Sequence, residues 1–266
     1  TPTRRQRQMC IRDSLYVLFF NRTNCNYFEV DLNHTAEKFI NGKLLLINKP
    51  INWTSFQVVN KIRWTLTNFF GLKALKVGHC GTLDPLATGL MLICTGKMTK
   101  KINDYTSLDK SYSGKIRLGA TTQSYDLETT PENFKNFNHI TLNEIEKAKK
   151  NFQGTVFQKP PIYSAVKKNG KRLYQYARSG EKIEIESRKV NINSFEISDV
   201  KLPDLSFLIS CSKGTYIRSL ANDFGKVLKC GAHLVELHRC KIGSFSVENS
   251  ITIEKFTEQF KLKKEL

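Results

Sequence analysis

Acidic residues are scarce in this 266-residue chain: 24 Asp and Glu stand against 42 Lys and Arg, a formal charge of +18. Such an imbalance argues against a cationic partner and for a polyanion, nucleic acid ahead of an acidic membrane surface. Long apolar runs are missing as well. Runs such as Leu15–Phe20 and Leu44–Ile47 fall far short of the roughly 20 residues of a spanning helix, so no membrane association is expected. The seven cysteines, at 10, 25, 80, 94, 211, 230 and 240, form no Cys-x-x-Cys pair and are odd in number. That pattern is one of reduced cytoplasmic thiols, not of a disulfide framework. No Gly-x-Gly-x-x-Gly occurs, and Gly96-Lys97 lacks the preceding glycine of a phosphate-cradling loop, which removes nucleotide-dependent chemistry. Cys230, His233, His238 and Cys240 crowd together, but their spacing lacks the separation that lets two ligand pairs converge on one tetrahedral zinc. No metal is expected.

The chain also lacks internal repeats, low-complexity runs and any linker long enough to separate a pair of domains. One mixed α+β domain is the simplest architecture. Lys43–Ile47 reads as a strand and Asn48-Lys49-Pro50 as a turn. Thr54 or Ser55 then caps a helix whose Val58, Val59, Ile62, Leu66 and Phe69 recur at helical spacing up to Gly71. Leu90–Cys94 reads as a buried strand and Met98–Tyr105 as a short helix. Ser111–Gly119 alternates apolar residues with Ser113, Lys115 and Arg117, as a strand does. The polar stretch Thr121–Asn138 is irregular, and Thr141 with Glu144 forms a capping box that opens a helix ending by Gly154. Gln158–Lys171 reads as an exposed basic loop. Strands are expected at Lys182–Glu186, Arg188–Ile197 and Leu205–Cys211, then a helix over Thr215–Leu228 with one apolar face.

The densest information lies in Gly78-His79-Cys80-Gly81-Thr82-Leu83-Asp84-Pro85-Leu86-Ala87-Thr88-Gly89. Proline with its preset φ follows one carboxylate, so Asp84 is expected to cap a short helical turn that begins at Pro85. Four further stretches share its theme: Lys49-Pro50, Lys110-Ser111-Tyr112, Pro160-Pro161-Ile162-Tyr163-Ser164-Ala165, and Cys211 to Arg218 (CSKGTYIR). Together, and in this order from about Asn41 to Gly243, these blocks resemble the TruB-type tRNA pseudouridine synthases, in their short bacterial form.

The resemblance implies the pseudouridine-synthase fold, a central mixed, largely antiparallel sheet flanked by helices and loops. It implies a cytoplasmic isomerase that needs no cofactor or metal. The expected reaction converts uridine 55 in the T loop of tRNA to pseudouridine after flipping the base. Asp84 matches the catalytic aspartate, Arg218 the arginine that pairs with it, and Tyr112 the tyrosine that stacks on the target base and accepts the C5 proton. His79 matches a residue that displaces the base. Lys49 is expected to support the catalytic loop, Lys100 to contact phosphate, Tyr216 to pack beneath the pocket and Leu237 to line its wall. A buried carboxylate without a counterion would protonate, which is the physical reason for wanting Arg218 beside Asp84. The partner is the T stem-loop of tRNA, bound by a monomer with no obligatory protein partner. A non-catalytic tRNA-binding or folding module of the same fold is the alternative.

By the same resemblance residues 41–250 form the catalytic domain, with an RNA-binding insertion around 121–152. Residues 15–40 are an N-terminal extension, 1–14 a non-native or disordered basic tail, and 251–266 a C-terminal tail, too short for a PUA domain. Two positions depart from the family: Asn52 stands where glycine is usual, and His238-Arg239 where two arginines are common.

Overall fold

The computed structural model describes residues 35–261; the segment 1–14 and most of 15–40 lie outside this range. Helix α1 (Ala36–Asn41) leads into strand β1 (Leu44–Lys49) and helix α2 (Ser55–Phe70). Strands β2 (Val77–His79) and β3 (Ala87–Thr95) flank the Asp84 segment, and a 3₁₀ turn (Gly96–Lys101) passes to α3 (Ile102–Ser107) and β4 (Lys110–Leu118). Next come α4 (Leu142–Lys150), β5 (Gly154–Gln158), the small hairpin β6 (Lys167–Lys168) and β7 (Lys171–Arg172), and α5 (Leu173–Ser179). Long strands β8 (Arg188–Lys201) and β9 (Asp204–Cys211) precede α6 (Ile217–Val227) and β10 (Ala232–Ile242). Short strands β11 (Phe245–Ser246) and β12 (Ile251–Thr252) and helix α7 (Ile253–Lys261) complete the described chain.

The sheet runs β12-β1-β3-β10-β4-β9-β8-β5, with β11 added to β10 and β2 to β3. Among the described strands only β1 with β12 and β3 with β10 pair in parallel, so the architecture is the mixed, largely antiparallel α+β sheet expected. Its main core lies on the face covered by α2, α4, α6 and α7, where Ile62, Leu66, Phe195, Phe224 and Phe256 are buried. A smaller cluster on the opposite face packs Leu46, Leu90 and Leu92 beneath Met98, Ile102 and Tyr105. Ile253, Phe256 and Phe260 of α7 belong to the main core, and Phe260 meets Phe39 of α1 edge to face.

Both capping boxes are present, Thr54 with Gln57 and Thr141 with Glu144, and Gly71 ends α2 in the left-handed conformation. Other expectations require correction. Asp84 caps no helix: Pro85 and Leu86 form a tight turn, the Ala87 amide donating to the Asp84 carbonyl at 3.1 Å, and the chain enters β3 directly. Asn48 and Lys49 extend β1, and the turn lies at Ile51 and Asn52. Gln158–Lys171 is not a uniformly exposed loop, since Gln158, Pro160, Pro161 and Ser164 are buried and the β6–β7 hairpin follows. Lys182–Glu186 alternates like a strand but finds no partner strand among the described residues, and its isoleucines are only half-buried. Strand β10 and helix α5 have no counterpart among the elements expected from the pattern.

The parallel contact of β3 with β10 sets Gly89 against Arg239. Gly89 has φ +105, and an added Cβ would run into the Arg239 backbone. Gly89→Ala should therefore destabilise the protein by roughly 2–4 kcal/mol, from backbone strain and overpacking together. A urea-unfolding midpoint shared with wild type would contradict this close-approach account.

Candidate active site

The strand ends set the site. Residues Gly81–Pro85, the first residues of β4, the β9–α6 connection and the middle of β10 meet around a cleft of about 560 Å³. Gln158, at the end of β5, fixes the start of α6: its side chain accepts from the Tyr216 amide at 2.7 Å and donates to the Tyr216 carbonyl at 2.9 Å. The Ser219 hydroxyl adds a bond to the Lys159 carbonyl at 2.7 Å. With its first turn held this way, α6 projects Arg218 into the cleft.

Arg218 is 3% exposed and grips Asp84. Its Nη2 donates to Oδ1 at 3.0 Å, while Nε lies 2.9 Å from Oδ2, an ionic contact that is off line for a hydrogen bond. Nη1 donates to the Ser124 carbonyl at 3.2 Å, and Asp126 Oδ2 stands 3.5 Å from Nε. One guanidinium thus faces two carboxylates. Asp126 is buried, and the Ser124 hydroxyl donates to its carbonyl. The Asp84 side chain keeps 35% of its surface open toward the cleft. Withdrawal from bulk water pushes its carboxyl above the usual range, Arg218 pulls it back, Asp126 adds to the rise and Lys49 opposes it.

The loop bearing Asp84 is tethered from below. Lys49 is fully buried, and its Nζ donates to the carbonyls of Trp53 (2.7 Å), Pro50 (2.9 Å) and Pro85 (3.2 Å). Burial pulls its pKa down to about 8, with Asp84 working against that fall. Asn52 has φ +64, the left-handed region a glycine enters freely, and its amide donates to the Pro85 carbonyl at 2.8 Å. Asparagine tolerates that region, which explains how it serves where glycine is usual. Arg239 holds the other flank, donating to Leu90 (2.7 Å), Gly81 (3.2 Å) and Thr82 (3.3 Å) carbonyls while itself 1% exposed. His238 points elsewhere, its Nδ1 2.8 Å from the Thr88 hydroxyl. Lys49→Met would leave three carbonyls short of a donor. It should cost about 1–3 kcal/mol of stability and slow the reaction, read by denaturation and by initial rate.

Asp84, Tyr112, Arg218, Tyr216 and Leu237 all line the cleft. Tyr112 is 9% exposed, and burial pushes its hydroxyl up, the Arg239 guanidinium opposing. His79 ends β2 just outside the lining, its Nδ1 accepting from the Gly81 amide at 3.3 Å; burial lowers its pKa. Lys100 is not brought to the cleft. It is exposed on the 3₁₀ turn after β3, at the opposite end of that strand from the Asp84 loop. Sequence reasoning missed Asp126, Gln158, and the rim pair Tyr174 and Arg178 on α5, where the guanidinium lies 5.4 Å from the ring. It also read Arg239 only as half of an altered pair. Lys110, foreseen only within a motif, forms part of the cleft floor, held by the Thr106 and Leu108 carbonyls, and burial pulls it down to about 8.

A carboxylate clasped by a buried arginine, open to a cleft with an aromatic floor, suits nucleophilic attack on a flat, electron-poor ring or its sugar. Comparison with known proteins places this geometry. Residues 68–217 match the profile described as TruB family pseudouridylate synthase, N terminal domain, and residues 218–265 match the tRNA pseudouridylate synthase B C-terminal domain. The chain is 54% identical over 225 residues to tRNA pseudouridine synthase B of Flavobacterium johnsoniae, covering 84% of this chain and 98% of that protein. With the protein of the same name from Phocaeicola vulgatus it shares 46% over 220 residues, 83% and 94% of the two chains. Among solved structures, a chain of a Cbf5-Nop10-Gar1 complex superposes with TM-score 0.65 at 26% identity, over 92% of this chain. This chain spans 62% of the length of that one. With both profiles meeting at Arg218, and the two carboxylates it faces lying in the first matched segment, the chain belongs to the TruB family of pseudouridylate synthases.

Proposed function

We propose that this protein is a tRNA pseudouridine synthase, an isomerase that converts the uridine at position 55 of the T loop to pseudouridine. The Asp84–Arg218 clasp at the cleft carries the reading, supported by the shared name of the relatives. The target nucleoside leaves its stack and enters the cleft over Tyr112, as an enzyme acting on a base requires. The Asp84 carboxylate attacks ribose C1′ or base C6. The N1–C1′ bond breaks, the uracil turns to present C5, and a C5–C1′ bond forms as the carboxylate is released; C5 then loses its proton and N1 takes one up, so the product has the composition of uridine. Arg218 stabilises the anion before attack and after release. Burial keeps the Tyr112 hydroxyl protonated at neutral pH, so it suits stacking directly and accepts the C5 proton only if its own proton departs in the same step.

The net charge of +18 suits the polyanionic RNA, whose phosphates make binding salt-sensitive. Among the described residues no helix is long and apolar enough to cross a membrane. A monomer acting in the cytoplasm on the T stem-loop, with residues 121–152 closing on the RNA, completes the proposal. The test is incubation with unmodified tRNA transcripts, mapping converted uridines by chemical labelling because the product has the mass of uridine. Conversion at position 55 supports the reading; binding without any conversion would favour the non-catalytic module, and conversion at another position would overturn the site assignment.

A further inference from the structure

Phe157 is among the most exposed large apolar side chains of the described residues. It lies on β5, an edge strand, one residue from Gln158, and is 75% exposed on the face of the sheet away from the main core. Its neighbours Val156 and Gln158 turn inward, half-buried and buried. Directly across the ladder from Phe157 stands Lys189 of β8, also exposed and on the same face. Lys159 and Arg188 are exposed next to them in the chain and Lys213 just after β9, and none of these cations, Lys189 included, has an ion-pair partner among the described residues. An exposed aromatic ring beside unneutralised cations is the pairing used to hold unstacked bases, the ring taking the π face and the cation a phosphate.

The position connects to the cleft at two points. Gln158 holds both backbone polar groups of Tyr216, which lines the cleft. Asn191, two residues along β8 from Lys189, donates its amide to the Ser212 hydroxyl at 2.9 Å and accepts from the Ser212 amide at 2.8 Å; Ser212 and Lys213 form the cleft rim. Lys213 lies at the cleft rim, whereas Phe157 and Lys189 face the other side of the sheet across its β5 edge, so an RNA that reaches both passes over that edge.

We propose that Phe157 and Lys189 form an accessory nucleotide-binding platform, Phe157 stacking on an unpaired base of the bound RNA outside the cleft and Lys189 contacting its phosphate. The proposal deepens the RNA-modifying reading and rests on it. Because every base presents a π face, the platform supplies affinity and register without selecting a sequence. Neither residue belongs to the family blocks identified in the sequence.

The experiment measures the Kd of an unmodified T-arm stem-loop RNA, and pseudouridine formation with it, for the wild type and single variants. Phe157→Ala should raise Kd roughly 5- to 150-fold, the range for loss of one base–aromatic stack. Phe157→Trp should restore affinity and Phe157→Leu should not, since leucine keeps apolar area without a π face. Lys189→Gln should reduce the slope of log K against log salt by about 0.7, one single-strand phosphate contact. Wild-type affinity in Phe157→Ala, or full rescue by leucine, overturns the platform. So does a self-associated wild type that Phe157→Ala makes monomeric, because the ring would then serve a protein interface. A wild type that binds this RNA and makes no pseudouridine defeats the enzymatic reading instead, and the Kd series still decides the platform.

Discussion

Asp84→Asn is expected to leave tRNA affinity intact and to reduce pseudouridine formation by roughly 10⁴-fold or more, the scale on which removal of an essential nucleophile acts. Asparagine keeps the size of the side chain, and its amide oxygen can still accept from Arg218 Nη2, now 3.0 Å from Oδ1. What it lacks is the charged oxygen that, in the proposed mechanism, bonds to the nucleoside. Affinity comes instead from lysines and arginines spread over the surface, so binding and chemistry separate in this one variant. Single-turnover conversion and filter binding on one unmodified transcript measure both. A variant that binds like wild type and still forms product at about a tenth of the rate would show that Asp84 only positions the uridine.

The features of this site that local sequence makes legible are those whose geometry is local. Thr54 and Thr141 announce helix starts because each bonds an amide three residues away. The alternation in β4 shows which side of Tyr112 faces the core. Asp84 and Arg218 were legible only through the resemblance of the blocks around them, since 134 residues separate the pair. Asp126 lies in a polar stretch without periodicity and gains meaning only from the guanidinium beside it.

Strand β10 escaped for the same reason. Its charged and polar residues, His233, Glu236, His238 and Arg239, break any alternation. Yet His233 and Arg239 are each 1% exposed, their polar atoms facing carbonyls of Ala120, Gly81, Thr82 and Leu90 more than a hundred residues away in the chain. The reverse error, a strand at Lys182–Glu186, arose because alternation alone cannot show whether a partner strand exists. Asp84 was misplaced at a helix start because Asp-Pro suits a cap and a tight turn equally well; the pairing of β3 with β1 and β10 made it a turn.

Arg218→Lys is the second large effect. Lysine restores a positive charge but not a planar fork, so it cannot at once face Asp84, approach Asp126 and bond the Ser124 carbonyl as the guanidinium does. The rate should fall by roughly 10²–10³-fold, the loss seen when one preorganised electrostatic contact is removed. The pH profile should move as well, with a definite sign. The proposed reaction requires the ionised carboxylate, so activity is expected to fall as pH drops through the Asp84 pKa, which already lies above the ordinary value. A poorer counterion raises that pKa further, and the acid limb of kcat/KM shifts to higher pH. Arg218→Met removes the charge altogether and leaves Asp126 buried without compensation. Adding Asp126→Asn in that background should recover some of the lost stability and none of the lost rate. If Arg218→Lys kept both the wild-type rate and the wild-type acid limb, the fork would not be what holds Asp84 ready. Recovery of rate by Asp126→Asn would show that relief of repulsion between the two carboxylates, not direct support of the nucleophile, was the service Arg218 performed.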